Sequence, residues 1–386
     1  YSSKARRTFA NRAAERFGLD ARLIEEQLED LVERLELFQP LEPDQPPPAP
    51  EMSDEEREEA LAYLRRPDLV QAILADMETL GAVGEEEAKL LAFLVGVSRK
   101  LARPLSGILL SGSGAGKSSV AELVEALTPP EEVVFYSRIS ATVLYYQPAD
   151  FLRHKLLMLE ERAGGEAADY SIRTLQSKRR LTLCVTVKDP QTGEMKPRTY
   201  EVEGPIAYLE TTTNPYLNPE NSSRCFEIPL DESAEQTRRI HNHQRAMRGQ
   251  LERLARRVRS EALCKKHHNA QRLLEPMEVW IPYADRLRFP DRLLRNRRDH
   301  ERFLCLIEAV AFLHQKQRAI HDLGEGLRCV EATVADYALA HRLAQKVLDV
   351  AVDERSRWGR FLCEWLEGQL NGDSRSDRVW TRRELR

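Results

Sequence analysis

One run of residues limits this chain more than any other: Ser111-Gly112-Ser113-Gly114-Ala115-Gly116-Lys117-Ser118-Ser119. It directly follows the apolar stretch Ile108-Leu109-Leu110, and it precedes Val120, Leu123, Val124 and Leu127, which are apolar at helical spacing. Strand, Gly-rich turn and helix in that order are the setting of a P-loop. The chemistry follows from the residue types. Glycines let the backbone turn its N–H groups inward around a polyphosphate, and the helix N-terminus adds positive potential. Lys117 reaches the β- and γ-phosphates, and Ser118 offers a hydroxyl to Mg²⁺. Gly112, Ser113, Gly114, Ala115, Gly116, Lys117, Ser118 and Ser119 are therefore the expected nucleotide-binding residues, with ATP and Mg²⁺ as the expected ligands. The pattern G-x-x-x-x-G-K-[ST] is broken at its first position, which is Ser111.

A second apolar run with a charged end lies about 40 residues on. Leu156-Leu157-Met158-Leu159-Glu160-Glu161 reads as a strand that delivers two carboxylates to one edge of a sheet. After a P-loop it suits a Walker B strand, with Glu160 holding Mg²⁺ through water and Glu161 polarising the attacking water. Apolar runs at 107–110, 133–136, 155–160, 206–212 and 226–230 alternate with helical patterns, so the fold class is α/β. Leu181, Leu183, Val185 and Val187 alternate with polar residues, a turn-rich 189–194 follows, and Tyr200 and Val202 resume the alternation. That is a β-hairpin inserted over 181–204.

The rest of the chain divides by composition. Residues 1–38 read as a small helical segment, because Leu19, Leu23, Leu28, Leu31 and Leu35 fall near helical spacing. Prolines at 40, 43, 46, 47, 48 and 50 forbid a helix, so 39–52 reads as an extended linker. Ser53-Asp54-Glu55-Glu56 is a capping box that opens a helical stretch over 53–101. The α/β core is expected over 102–275, a helical lid over 276–350, and a C-terminal helix with the start of a further module over 351–386. The net charge of −4 conceals an asymmetry: 13 basic and 22 acidic residues in 1–100, but 20 basic and 12 acidic in 231–320. The basic stretch is either a solvated helical face or the lining of a channel for an anion.

These pieces in this order resemble the AAA+ ATPases, and within them the clade with a β-hairpin before sensor 1, which includes the minichromosome-maintenance helicases. The resemblance implies an AAA+ three-layer core with a helical lid and a helical N-terminal appendage. Thr211-Thr212-Thr213-Asn214-Pro215 ends a strand where that family has sensor 1, which implies that role for Asn214. Asn221-Ser222-Ser223-Arg224-Cys225-Phe226 resembles the segment carrying the arginine finger, so Arg224 would meet a neighbouring subunit's γ-phosphate. Arg298-Asp299-His300-Glu301, with Glu308-Ala309 behind it, resembles the sensor-2 helix. This nominates Arg298, with Arg297 as the adjacent alternative, acting in cis or across the subunit interface. In that clade the hairpin points into a central pore and grips DNA, which would give Lys188, Lys196 and Arg198 to phosphate contacts. The run from 108 to 318 looks most like the ATPase module of primase–helicase proteins carried by bacterial mobile elements. The signposts are Glu160-Glu161, Leu175-Gln176-Ser177, Gly204-Pro205, Thr211-Thr212-Thr213 and the segment 231–237. The implied partners are further copies of the chain in a ring, a hexamer, together with single-stranded DNA. A zinc-finger and TOPRIM-type primase region is implied in the same full-length chain, and a winged helix after it.

Composition removes other classes. No apolar run approaches the about 20 residues a bilayer crossing needs, and no signal peptide opens the chain, so no membrane partner is expected. The six cysteines form no C-x-x-C pair. That points away from a zinc ribbon or disulfide framework and toward a reducing cytoplasm. The expectation is an ATP-driven nucleic-acid motor. An ATP-gated assembly switch or protein remodeller would keep the same nucleotide site without a DNA grip. An isolated P-loop kinase would leave Asn214, Arg224 and Arg298 unexplained together.

Overall fold

The computed structural model describes residues 3–28, 50–160, 168–188, 194–214, 217–249, 253–290 and 296–352. Seven strands build the central part: β1 (Ser106–Leu110), β2 (Val133–Tyr136), β3 (Lys155–Leu159), β4 (Arg180–Lys188), β5 (Met195–Glu203), β6 (Ile206–Thr212) and β7 (Phe226–Pro229). Five of them form a parallel sheet in the order β2-β3-β6-β1-β7. They are short and mostly apolar, as strands covered on both faces tend to be. β6 is buried at every position and runs between the P-loop strand β1 and the acid-ended strand β3. All five C-terminal ends therefore meet at one edge of the sheet and all N-terminal ends at the other.

The helices of the described residues are α1 (Ser3–Phe17), α2 (Asp54–Leu64), α3 (Leu69–Leu80), α4 (Glu86–Val97), α5 (Lys117–Leu127), α6 (Asp169–Lys178), α7 (Pro219–Ser222), α8 (Ala234–Gly249), α9 (Arg253–Arg272), α10 (Asn296–Leu313) and α11 (Val334–Val352), and those of the core cover both faces of the sheet. Alternate strand residues feed two cores. Leu109, Leu156, Met158, Leu209, Phe226 and Ile228 face the core shared with α2 to α5 and α9 to α11. Ile108, Leu157, Leu159, Ile206 and Tyr208 face the other, with Leu144, Leu152, Ile172 and Leu175. The result is the α/β core that the alternation of elements predicts, in the three layers that the resemblance implies.

α2 starts at the expected capping box: the Ser53 hydroxyl accepts from the Glu56 N–H at 3.3 Å, and the Ser53 N–H donates to Glu56 Oε2 at 3.2 Å. α4 is apolar all round and buried from Ala88 to Val97, which marks a helix inside a core rather than on its surface. The helices of 53–101 are thus one layer of the core. A Cβ on Gly107 would lie 3.3 Å from Val95 Cγ2 and 3.1 Å from Ile228 Cδ1, so glycine lets α4 and β7 close on the P-loop strand. Arg99, 1% exposed, locks this layer. It pairs with Glu132 and donates to the Gly96 carbonyl and to Gln271 Oε1, both at 2.7 Å.

The reading of 276–350 as a helical lid needs correction. Around α10 and α11 lies a second sheet of β8 (Glu278–Trp280), β9 (Ile320–Asp322) and β10 (Arg328–Glu331), in the order β8-β10-β9. Strands of three or four residues are too short to show a period of two, and two positive-φ glycines, Gly324 and Gly326, make the turn between β9 and β10. The hairpin expected over 181–204 is the antiparallel pair β4–β5. The proline-rich stretch up to 49, Leu31, Leu35 and the module read into 353–386 lie outside the described residues. Among the described residues no helix is long and apolar enough to cross a membrane.

Candidate active site

The P-loop joins β1 to α5 at the C-terminal edge of the sheet. Gly114 and Gly116 have φ of +83° and +99°, a region L side chains enter at a cost, and space is open where a Cβ would stand on either. The loop therefore opens a cradle toward solvent just before the helix N-terminus. The Lys117 ammonium, buried against the loop, donates to the Ser111 carbonyl at 2.9 Å and to the Gly112 carbonyl at 2.7 Å. The departure at position 111 has a local explanation. Only Gly114 and Gly116 of the loop have positive φ, so position 111 does not demand glycine, and Ser111 is buried there with its hydroxyl lacking a hydrogen-bond partner. The Gly112 N–H donates to Glu232 Oε1 at 2.7 Å, which anchors the start of the loop to the segment after β7.

A cleft of about 590 Å³ opens beside this loop. Its walls are Ser113, Gly114 and Gly116 to Ser119, with Ser137 from the end of β2, Glu160 from the end of β3 and Thr211 to Thr213 from the end of β6. The Thr211 hydroxyl donates to the Glu160 carbonyl and ties the last two strand ends together. The site thus unites the P-loop residues with Glu160, as the sequence spacing expects. Asn214 follows as an exposed residue just past the cleft wall, its N–H donating to the Thr212 hydroxyl at 3.2 Å. Glu161 lies outside the described residues. Ser137 and the three threonines join the site beyond the residues the motifs mark. The threonine run was a visible polar end to an apolar strand, whereas nothing local marks Ser137.

These groups fit a magnesium nucleotide. The open glycine cradle and its ammonium suit a polyphosphate, and the Ser118 hydroxyl and Glu160 carboxylate are hard oxygen ligands of the kind Mg²⁺ takes. Bound there, the ion would neutralise charge on the phosphate oxygens.

Arg224 and Arg298 are not in this cleft. They line a separate pocket of about 480 Å³ at the opposite edge of the sheet, formed by the starts of β1, β6 and β7 and by α10. The two edges are separated by about 15 Å, the length of a five-residue strand. Arg103, Arg179 and Arg302 share the pocket with Glu301. Arg224 donates to the Ser177 hydroxyl at 3.0 Å and to the Glu220 carbonyl, and Arg298 donates to the Ser223 hydroxyl. Burial, and after it the charges of Arg298 and Arg173, push the Arg224 guanidinium below its ordinary pKa. Arg302 donates to the Cys225 and Ser222 carbonyls and pairs with the fully buried Asp299, so α10 holds the backbone on either side of Arg224.

The hairpin rises from this same edge, its base formed by Leu181 and Val202, both fully buried. Arg198 lies over the Tyr200 ring at 5.0 Å and Lys196 is 3.9 Å from Glu194. Lys188 pairs with Met195 at the outer end of the ladder, and its side chain lies outside the described residues.

A family model described as MTBMA_p00010 P-loop domain matches residues 51–269 of this chain, more than half its length. No curated protein matches it.

Proposed function

The chain belongs to the MTBMA_p00010 P-loop domain family, a nucleotide-binding P-loop NTPase fold, and from that premise we propose that it is an ATP-driven, ring-forming nucleic-acid translocase of the AAA+ kind. The observation that carries the reading is the division of catalytic groups between two edges of one sheet. The P-loop, Ser118 and Glu160 stand at one edge, and Arg224 with Arg298 at the other, a strand length away. An arginine there is useless to its own nucleotide but well placed for the nucleotide of an adjacent copy stacked edge to edge. The strand order, with β6 inserted between the P-loop strand and the acid-ended strand, is that of additional-strand ATPases and supports the same reading.

In this mechanism the loop N–H groups and Lys117 bind and orient the phosphates, and Ser118 and Glu160 would hold a magnesium ion that neutralises phosphate charge. Glu161 accepts a proton from the attacking water, and Asn214 orients it. Arg224 and Arg298 of the next copy place their guanidinium groups where negative charge builds on the γ-phosphate oxygens. Catalysis is mostly positioning and electrostatics, so hydrolysis reports on how two copies sit together. The hairpin, rooted at the arginine edge, would carry that movement to a DNA strand in the pore. A primase–helicase of a mobile element is the finer setting we favour, on the sequence signposts alone.

Mixing two crippled variants tests this directly. Lys117→Ala and Arg224→Ala should each hydrolyse ATP poorly alone. Mixed, they should regain a clear fraction of the wild-type rate, because some interfaces pair an intact P-loop with an intact Arg224. A mixture no more active than its components would sink the shared site. ATPase activity unchanged by single-stranded DNA would favour a protein remodeller or assembly switch instead.

A further inference from the structure

The two faces of the hairpin differ in chemistry. Cross-strand partners share a face, and the register places Leu181 with Val202, Leu183 with Tyr200, Val185 with Arg198 and Val187 with Lys196. Outward from the core this face reads apolar, then aromatic, then cationic, with Glu194 beside Lys196 at its outer end. The other face holds Glu201 and Glu203, paired with Arg180 and with Arg153 beside the hairpin. At the middle of the cationic face a second tyrosine joins. Tyr146, on the short helical turn Val143–Tyr146, meets the Tyr200 ring edge-on at 4.8 Å and is still 51% exposed. Arg198 lies over Tyr200, so its charge is held in place beside the two rings.

We propose that Tyr146 and Tyr200, with Arg198 and Lys196, form a base-stacking platform for single-stranded nucleic acid. The inference rests on the translocase reading and adds to it a contact with bases. An anionic ligand with flat apolar faces suits a half-exposed aromatic pair with Arg198 held beside it and Lys196 further out. Among nucleic acids only an unpaired strand presents base faces, whereas a duplex stacks them internally. Stacking is tolerant of sequence, since each base has a π-face, and a translocating motor needs that tolerance. The tyrosines bear on bases and the two cations on phosphates, so the two contributions separate experimentally.

The test compares an oligo(dT) strand, an abasic strand of equal length and a duplex, each titrated against the full chain with a non-hydrolysable ATP analogue. Tyr146 is exposed enough for Tyr146→Ala to fold, and Tyr146→Trp keeps a ring. Tyr146→Ala should weaken oligo(dT) binding about 10-fold and leave abasic binding unchanged, while Tyr146→Trp retains wild-type affinity. Lys196→Ala with Arg198→Ala should weaken both single strands and flatten the salt dependence. Unchanged oligo(dT) binding in Tyr146→Ala, equal weakening on both single strands, or duplex binding as tight as oligo(dT) would each overturn the platform and leave the motor standing. A wild-type chain that binds none of the three would remove the nucleic-acid reading itself.

Discussion

The two edges of the central sheet are built to opposite plans. At the C-terminal edge a glycine loop, one ammonium, several hydroxyls and a carboxylate surround an open cradle. At the N-terminal edge, among the described residues, five guanidinium groups line a pocket with Glu301, and Asp299 lies behind Arg302. The first edge is organised to hold an anion. The second is short of one: burial and neighbouring positive charge already press on Arg224. Under the proposed function the two edges would be complementary halves of one site shared between copies.

The sharpest way to break this comparison is to remove one cation from each edge. Lys117→Ala should abolish nucleotide binding and turnover together. Arg224→Ala should cut kcat by about 1,000-fold, the scale of an arginine supplied to a phosphoryl transition state, while equilibrium binding of ATP stays near wild type. Loss of binding in Arg224→Ala would mean that the two edges do not divide the work.

Next in size is a pH effect beneath the arginine pocket. Burial, helped by Glu301 and Glu278 and opposed by Arg103, pushes the Glu308 carboxyl up to about 7. Because the folded pKa lies above the unfolded one, the native state holds the extra proton between about 4.5 and 7, and stability falls as pH rises through that window. Glu308→Gln should match wild type near pH 4.5 and exceed it by about 3 kcal/mol at pH 8 in urea unfolding. An equal difference at both pH values would count against a buried, reluctant carboxylate.

Smaller still is the effect of the clamp on the Arg224 segment. Arg302→Lys keeps a charge for Asp299 but not the fork, in which Nη1 donates to the Ser222 and Cys225 carbonyls while Nη2 donates to Asp299. It should lower kcat about 30-fold, since slight misplacement of a positioned group is costly, with ATP affinity unchanged. The smallest change belongs to the cradle: Ser111→Ala removes a buried hydroxyl without a partner and should raise stability by about 1 kcal/mol with ATP binding unaltered. A loss of stability there would show that the hydroxyl is engaged.

Much of the core was legible because its signals are local. Glycines before Lys117, apolar runs ending in acids or threonines, and the alternation of 181–187 with 200–202 each state one element in a few residues. The lid sheet was not legible, because β8, β9 and β10 are too short to carry a period and β8 reaches β10 only through a pairing of Glu278 with Cys329, distant in sequence. Cys264-Lys265-Lys266-His267-His268 shows the same limit. Its ligand-like composition conceals a structural role, with His267 buried against Tyr63 and Asp76 and His268 bonded to the Ala126 carbonyl.

By itself the sequence determined that a phosphate cradle sits between a strand and a helix, because loop conformation and helix start are set by neighbouring residues. Only the tertiary structure decided which side chains share an edge. Arg224 and Arg298 are 74 positions apart yet meet around Ser223, while Lys117 is carried to the far end of the sheet. Parallel strands impose that outcome: they collect all their C-terminal ends on one side and all their N-terminal ends on the other, whatever the order in which the chain supplies them.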